Sequence, residues 1–177
     1  MDLTNALLIG SLILVVALFW IIVGIRHLKT LTHETVLKWQ LLDKDLRKRQ
    51  DLVPILIEVV RKYITNKEEL IEKVIAMRMK ACKEYNVSLK KIEFEHDLTA
   101  AINWLFDLKK ESVELKQDVY FQELKREMDH LEKRIAGGTE EYNKIVRFHN
   151  KHRKSFILLP LAALMKYKPV DIFEFEL

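Results

Sequence analysis

Residues 39–63 read WQLLDKDLRKRQDLVPILIEVVRKY. Alternating steps of three and four from Trp39 land on Leu42, Leu46, Arg49, Val53, Leu56, Val60 and Tyr63, all apolar or aromatic except Arg49. A 3.5-residue repeat sustained beyond three heptads belongs to a helix that packs along its whole length against neighbours at a shallow angle. Pro54 lies inside this pattern; it removes one backbone hydrogen bond and crowds the carbonyl of Gln50, at roughly 3 kcal/mol in an ordinary helix. The apolar phase passes through it unbroken, which predicts a kink and not a stop. Arg49 occupies a seam position, where a charge costs several kcal/mol unless it is paired or led out to solvent by its stem. Asp45, one turn earlier, is its expected partner, in a buried or edge ion pair; the alternative is a charge that recognises a binding partner.

The same periodicity continues downstream. Thr65 and Glu68 have the spacing of a capping box, which predicts a second helix starting near Thr65 or Asn66, striped by Leu70, Val74, Met77 and Ala81 and ending around Asn86–Ser88. Phe94, Leu98, Ala101, Leu105 and Leu108 mark a third, with Ile102 and Phe106 widening its stripe. The longest runs through Phe121, Leu124, Met128, Leu131, Ile135, Gly138, Tyr142, Ile145 and His149. Gly137 and Gly138 fall inside it and cost about 2 kcal/mol relative to two alanines. A turn would reset the phase, and the phase is kept. The pattern therefore predicts one continuous helix with a weak point at the glycines, where another element approaches closely.

Upstream, Leu3 to Ile25 is 23 residues without a charge, 18 of them apolar. At 1.5 Å per residue it reaches about 34 Å, enough to cross a hydrocarbon core of about 30 Å. A cleavable signal peptide would carry Lys or Arg ahead of a shorter apolar core, and the one charge ahead of this stretch is Asp2. A retained membrane span through residues 3–25 is the expectation. Arg26, Lys29 and Lys38 follow the span and no basic residue precedes it, so the N-terminus is expected to face outward and the rest to lie in the cytoplasm. Trp20, near the inner boundary, suits either an interfacial anchor or a lipid-facing position. The predicted fold is all-α: residues 1–25 form an outward N-terminus and a single transmembrane helix, and residues 26–177 a long antiparallel four-helix bundle. Four Gly and three Pro in 177 residues are too few turn-formers for a sheet fold that reverses every ten residues or so.

Beyond the span lie all 30 basic residues and 25 of the 26 acids, a mildly basic and well-mixed balance. A nucleic-acid reader would show a clustered basic face with aromatic or groove-reading elements, and none is legible here. The single cysteine, Cys82, excludes a disulfide framework and suits a small core residue in a reducing compartment. After Ser155 the run FILLPLAALM is too short to span a bilayer, and it leads into a tail, KPVDIFEFEL, in which Phe173 and Phe175 alternate with acids. The main expectation is an apolar and aromatic cap folded over the bundle end; the alternative is an interfacial segment that touches the membrane or a partner.

Chemistry is scarce. Glu93 with His96, and Glu127 with His130, fit the Glu-x-x-His pair that di-iron bundles use twice, but against the heptads both histidines sit on outer positions. His149 and His152 share a turn without a carboxylate to complete a set. No zinc-protease, phosphate-loop, dinucleotide or nucleophile-elbow motif occurs. No catalytic, cofactor-binding or metal-binding residue is assigned, and no cofactor is expected.

The stretch quoted at the start resembles the signature of the LemA family, in which a Trp precedes an aliphatic-Asp pair, a basic stretch and then Asp-Leu-aliphatic-Pro. Trp39, Leu42, Asp43, Leu46, Arg49, Asp51, Leu52, Pro54 and Tyr63 match it, and Val74 with Arg78 resembles the next block. Leu115, Phe121, Leu124, Glu132, Arg134, Ile135, Ala136, Tyr142, Asn143, Val146, Asn150, Phe156, Ala162 and Phe173 follow the C-terminal half. Val113, Thr139, Ile157 and Lys166 stand where the pattern resembles Pro, Arg, Pro and Gly. The resemblance implies a bacterial inner-membrane protein with a small outward N-terminus and a cytoplasmic antiparallel helical bundle, without enzymatic activity.

Two functions follow as expectations. The preferred one is a membrane-tethered interaction protein, anchored in the bilayer through residues 3–25, that binds an envelope protein or organises the membrane. The alternative is a metal-dependent enzyme using the Glu-x-x-His pairs. Spare heptad faces also leave room for homo-oligomers.

Overall fold

The computed structural model describes residues 3–154 and 159–174, and all regular structure among them is helical. The elements are α1 (Leu3–Arg61), α2 (Glu68–Lys83), α3 (Leu89–Asp107) with a 3-10 turn at Leu108–Lys110, α4 (Val113–Gln117), α5 (Val119–Arg153) and α6 (Leu159–Leu164). The apolar stretch and the first heptads form a single helix, uninterrupted at Arg26 and at Pro54. Within residues 26–38 the hydroxyls of Thr30, Thr32 and Thr35 each donate to the carbonyl one turn back, on Arg26, Leu28 and Leu31, which accommodates them in the helix.

Two compact units divide the chain: residues 1–37 with 145–170, and residues 38–144 with 171–177. The second holds the main core. Here α1 runs antiparallel to α5, as Lys38 pairs with Glu141, Asp45 with Arg134 and Lys48 with Glu127. It runs antiparallel to α2 as well, with Asp51 beside Arg78 and Arg61 paired with Glu68. These exposed pairs set register and contribute at most about 1 kcal/mol each. Leu52, Val53, Leu56 and Val60 of α1 pack with Ile71 and Val74 of α2, Leu98, Ile102 and Leu105 of α3, and Phe121, Leu124, Met128 and Leu131 of α5. The rings of Phe106 and Phe121 meet edge-on at 5.5 Å. Helix starts follow capping chemistry: Ser88, Ser112 and Asp118 accept from the amides of Lys91, Leu115 and Phe121. α5 passes through Gly137 and Gly138 without a break, as its phase requires. A Cβ on Gly138 would lie 3.4 Å from Leu42 Cδ1, so α1 does approach closely there, whereas Gly137 faces open space.

Several expectations need correction. The Thr65–Glu68 capping box does not form; α2 starts at Glu68, with Lys67 at the cap and no side-chain hydrogen bond. Glu68 and Glu69 in its first turn favour the positive end of the helix dipole in place of that cap. Ile71, not Leu70, is the buried residue of its first turns, and α2 stops at Lys83, so that Ser88 begins α3. Tyr63 lies past the end of α1, exposed, its hydroxyl donating to Asp118 at 2.7 Å. On α5 the buried position is Val146, with Ile145 only half-buried.

The first unit has a smaller core. Leu28 is buried against Ala162 of α6, with Ile21, Ile25 and Tyr167 packed around them. α6 ends in a Schellman turn: the amide of Tyr167 reaches the carbonyl of Ala162 and that of Lys166 reaches Ala163. Lys166 has φ 53°, the one positive φ among the described non-glycine residues. His149 of α5 is buried 3.4 Å from the Thr32 hydroxyl, and the rings of His27 and His152 meet at 5.7 Å. Phe156, Ile157 and Phe175 lie outside the described residues, as does most of FILLP ahead of α6.

Candidate functional site

Charges buried in a helical bundle are the first place to look for chemistry. Arg49 is 0% exposed and sends its guanidinium across the core of the second unit to α3, where Nη2 donates to Glu95 Oε2 at 2.6 Å and Nη1 to the Thr99 hydroxyl at 2.9 Å. Glu95, equally buried, also accepts from Gln50 Nε2 at 2.6 Å and pairs with Lys91 Nζ at 2.8 Å. Lys91 is buried in turn, donating to the carbonyl of Ala81 and standing 3.9 Å from Asp43. Cys82 Sγ donates to Gln50 Oε1, and Arg78 Nε to the Gln50 carbonyl. Arg47 holds the other oxygen of Asp43 at 2.6 Å and lies over the ring of Tyr85. Four cations, Arg47, Arg49, Arg78 and Lys91, and two carboxylates, Asp43 and Glu95, therefore join Gln50 in a network that ties α1 to α2 and α3. The expected Asp45 partner is wrong: Asp45 turns aside to Arg134, and Arg49 finds its carboxylate 46 positions away.

Arg49 and Glu95 line none of the described cavities, whereas Asp43 and Arg47, at the edge of the network, line an open groove of about 430 Å³ with Gln40, Lys44, Lys48 and Asp51. Glu93, His96, Glu127 and His130 are exposed, and no set of three or more metal-donor side chains comes together among the described residues. His149 and His152 are accounted for by Thr32, Asn150 and ring contacts.

A second device holds the C-terminal tail. Asn143 donates to the carbonyl of Phe173 at 2.9 Å and accepts from its amide at 2.7 Å, so that one side-chain amide takes the place of a strand partner for both backbone groups of that residue. The Tyr142 hydroxyl donates to the carbonyl of Asp171 at 2.9 Å. Burial, with the Asp171 carboxylate nearby, pushes this phenol up to about 12. Phe173, fully buried, meets Trp39 edge-on at 5.4 Å, and the indole N–H donates to the carbonyl of Tyr85. In the first unit Asn150 clamps Val170 in the same two-bond way. Phe173 is thus held between the Asn143 clamp and the Trp39 ring.

The matched stretch runs from the first residue of the second unit to the C-terminus: the family model described as LemA family covers residues 38–177. The chain belongs to the LemA family. No match was found among curated proteins. Three of the positions where this chain departs from the LemA pattern now have a physical place. Val113 is the first residue of α4, after the Ser112 cap, where a proline loses no needed hydrogen bond. Lys166 holds the left-handed turn position that suits glycine. Thr139 is buried, and its hydroxyl has no hydrogen-bond partner among the described residues.

Two of the open surfaces are predominantly apolar. Between α2 and α3 a groove of about 230 Å³ is lined by Leu70, Val74, Met77, Ala101 and Trp104, with Lys73 and Asp97 at its sides. The second is α1 from Leu7 to Trp20, exposed at every described position, inside the one described helix long and apolar enough to cross a membrane. Charge, expected to be well mixed, is segregated. The first unit carries eight basic residues against two acids, a surplus of six in a chain whose total is +4, which leaves the second unit at −2.

Proposed function

We propose that this LemA-family chain is a single-pass membrane protein without enzymatic activity, whose helical bundle acts as a protein-interaction or membrane-organising module. The observation that carries it is the exposed apolar stretch of α1, which no other described part of the protein covers. Charge supports the inner membrane and an outward N-terminus, because Arg26 and Lys29 follow the stretch directly and the first unit holds the basic surplus. The apolar groove between α2 and α3 suits binding better than turnover.

Crosslinking in intact cells followed by purification from membranes tests the interaction. The expected result is a discrete crosslinked species that Ala100→Arg, at the exposed edge of the groove, abolishes without loss of helicity. Recovery of the uncrosslinked chain alone under several crosslinkers contradicts it.

A further inference from the structure

We propose that α6 and the turn after it form a second membrane contact, lying among anionic lipid headgroups at the basic end of the α1 span. This rests on Leu3–Ile25 being the span. Ile21 and Ile25, which pack beside α6, belong to the last turns of the uncharged stretch, and Leu28 follows one turn later. Packing against Leu28 holds α6 within reach of that boundary.

The sequence of α6, LPLAAL, has no polar side chain. Its Ala162 is buried, while Leu164 is 80% exposed and Ala163 is also exposed, so the helix is apolar on its outer side as well as its inner one. A core cap would hide that outer side. Six residues are too few to be stable as an isolated helix in water and too few to cross a bilayer. A short apolar helix beside the end of a span fits the boundary between headgroups and acyl chains, with about 5–10 Å of insertion.

Charge identifies the lipid. From residue 26 onward the first unit has eight basic residues and one acid, Glu34. Arg26 and Lys29 follow the span, Arg153 and Lys154 precede α6, and Lys166 and Lys168 follow it. Arg153 also donates to the carbonyl of Tyr167, which ties the end of α5 to the turn after α6. Basic side chains beside an interface are drawn to an anionic surface.

Depth measurement on the full chain tests this. In a Cys82→Ser background, an environment-sensitive fluorophore is attached at Leu164→Cys, at Leu12→Cys within the span, or at Met79→Cys on the second unit, and the protein is reconstituted in phosphatidylglycerol vesicles. The expected result is quenching of the Leu12 and Leu164 labels by lipids with brominated acyl chains, deeper for Leu12, and quenching of the Met79 label by aqueous iodide only. If the Leu12 label is quenched by lipid and the Leu164 label follows Met79, the second contact is wrong and the span stands. An unquenched Leu12 label removes the span and this inference with it. Exchanging phosphatidylglycerol for phosphatidylcholine should lower quenching at Leu164 several-fold; unchanged quenching overturns the assignment to anionic lipid.

Discussion

Glu95 touches both Arg49 and Lys91, and all three are buried. Glu95→Gln leaves two cations facing a neutral amide, and a buried pair broken on one side costs about 3–5 kcal/mol. Urea unfolding should show that loss, and a change below about 1 kcal/mol would mean that the network is hydrated. Lys166 presents a smaller account. Its left-handed φ costs a lysine about 1 kcal/mol that a glycine is spared, so Lys166→Gly should stabilise the chain by about that amount in thermal unfolding. Tyr142 gives a pH signature. Its phenol is raised to about 12 in the fold against about 10 unfolded, so the unfolded chain releases the proton first. The stability this residue contributes is fully present below pH 10 and is lost as pH rises to about 12; Tyr142→Phe should lack that loss in a comparison of the two unfolding curves. Arg49 was legible as a misfit on a seam, but its partner was not, because sequence shows only neighbours along the chain. A signal did exist: carrying the α3 stripe back from Leu98 by three and seven residues lands on Glu95 and Lys91, which marks a second charged seam facing the first.

At the scale of elements, periodicity decided what capping signals did not. The phase through Pro54 and through Gly137–Gly138 correctly implied unbroken helices, since burial repeats over many turns and outweighs one lost hydrogen bond. The Thr65–Glu68 pattern failed because a cap is a local preference of about 1 kcal/mol, easily overruled by where Ile71 and Val74 must sit. The tail was harder still. The Asn143 clamp on Phe173 was not readable, because an asparagine inside a heptad helix gives no sign of the backbone it will bind. For the glycines the expectation is quantitative. Gly137 faces open space and a Cβ on Gly138 would meet Leu42 at contact distance, so Gly137→Ala with Gly138→Ala should retain the helix and add up to about 2 kcal/mol. Circular dichroism with thermal unfolding checks it; lost helicity would show that the glycines serve a turn.

For the whole molecule, scarce breakers and an uncharged N-terminal stretch were enough to read an all-α chain with a candidate span. The chain's net charge concealed the division between a basic unit and an acidic one, because residues 145–170 join residues 1–37 only through folding. That division places the basic surplus beside the apolar stretch and carries the account's central claim: a chain anchored by α1, with its bundle on the cytoplasmic side. Protease added to intact spheroplasts, after carbonate-washed membranes have shown the chain to be integral, tests it most directly. The account predicts that the bundle survives in intact spheroplasts and is digested once they are lysed. Release of the chain by carbonate, or digestion of the bundle in intact spheroplasts, would contradict it.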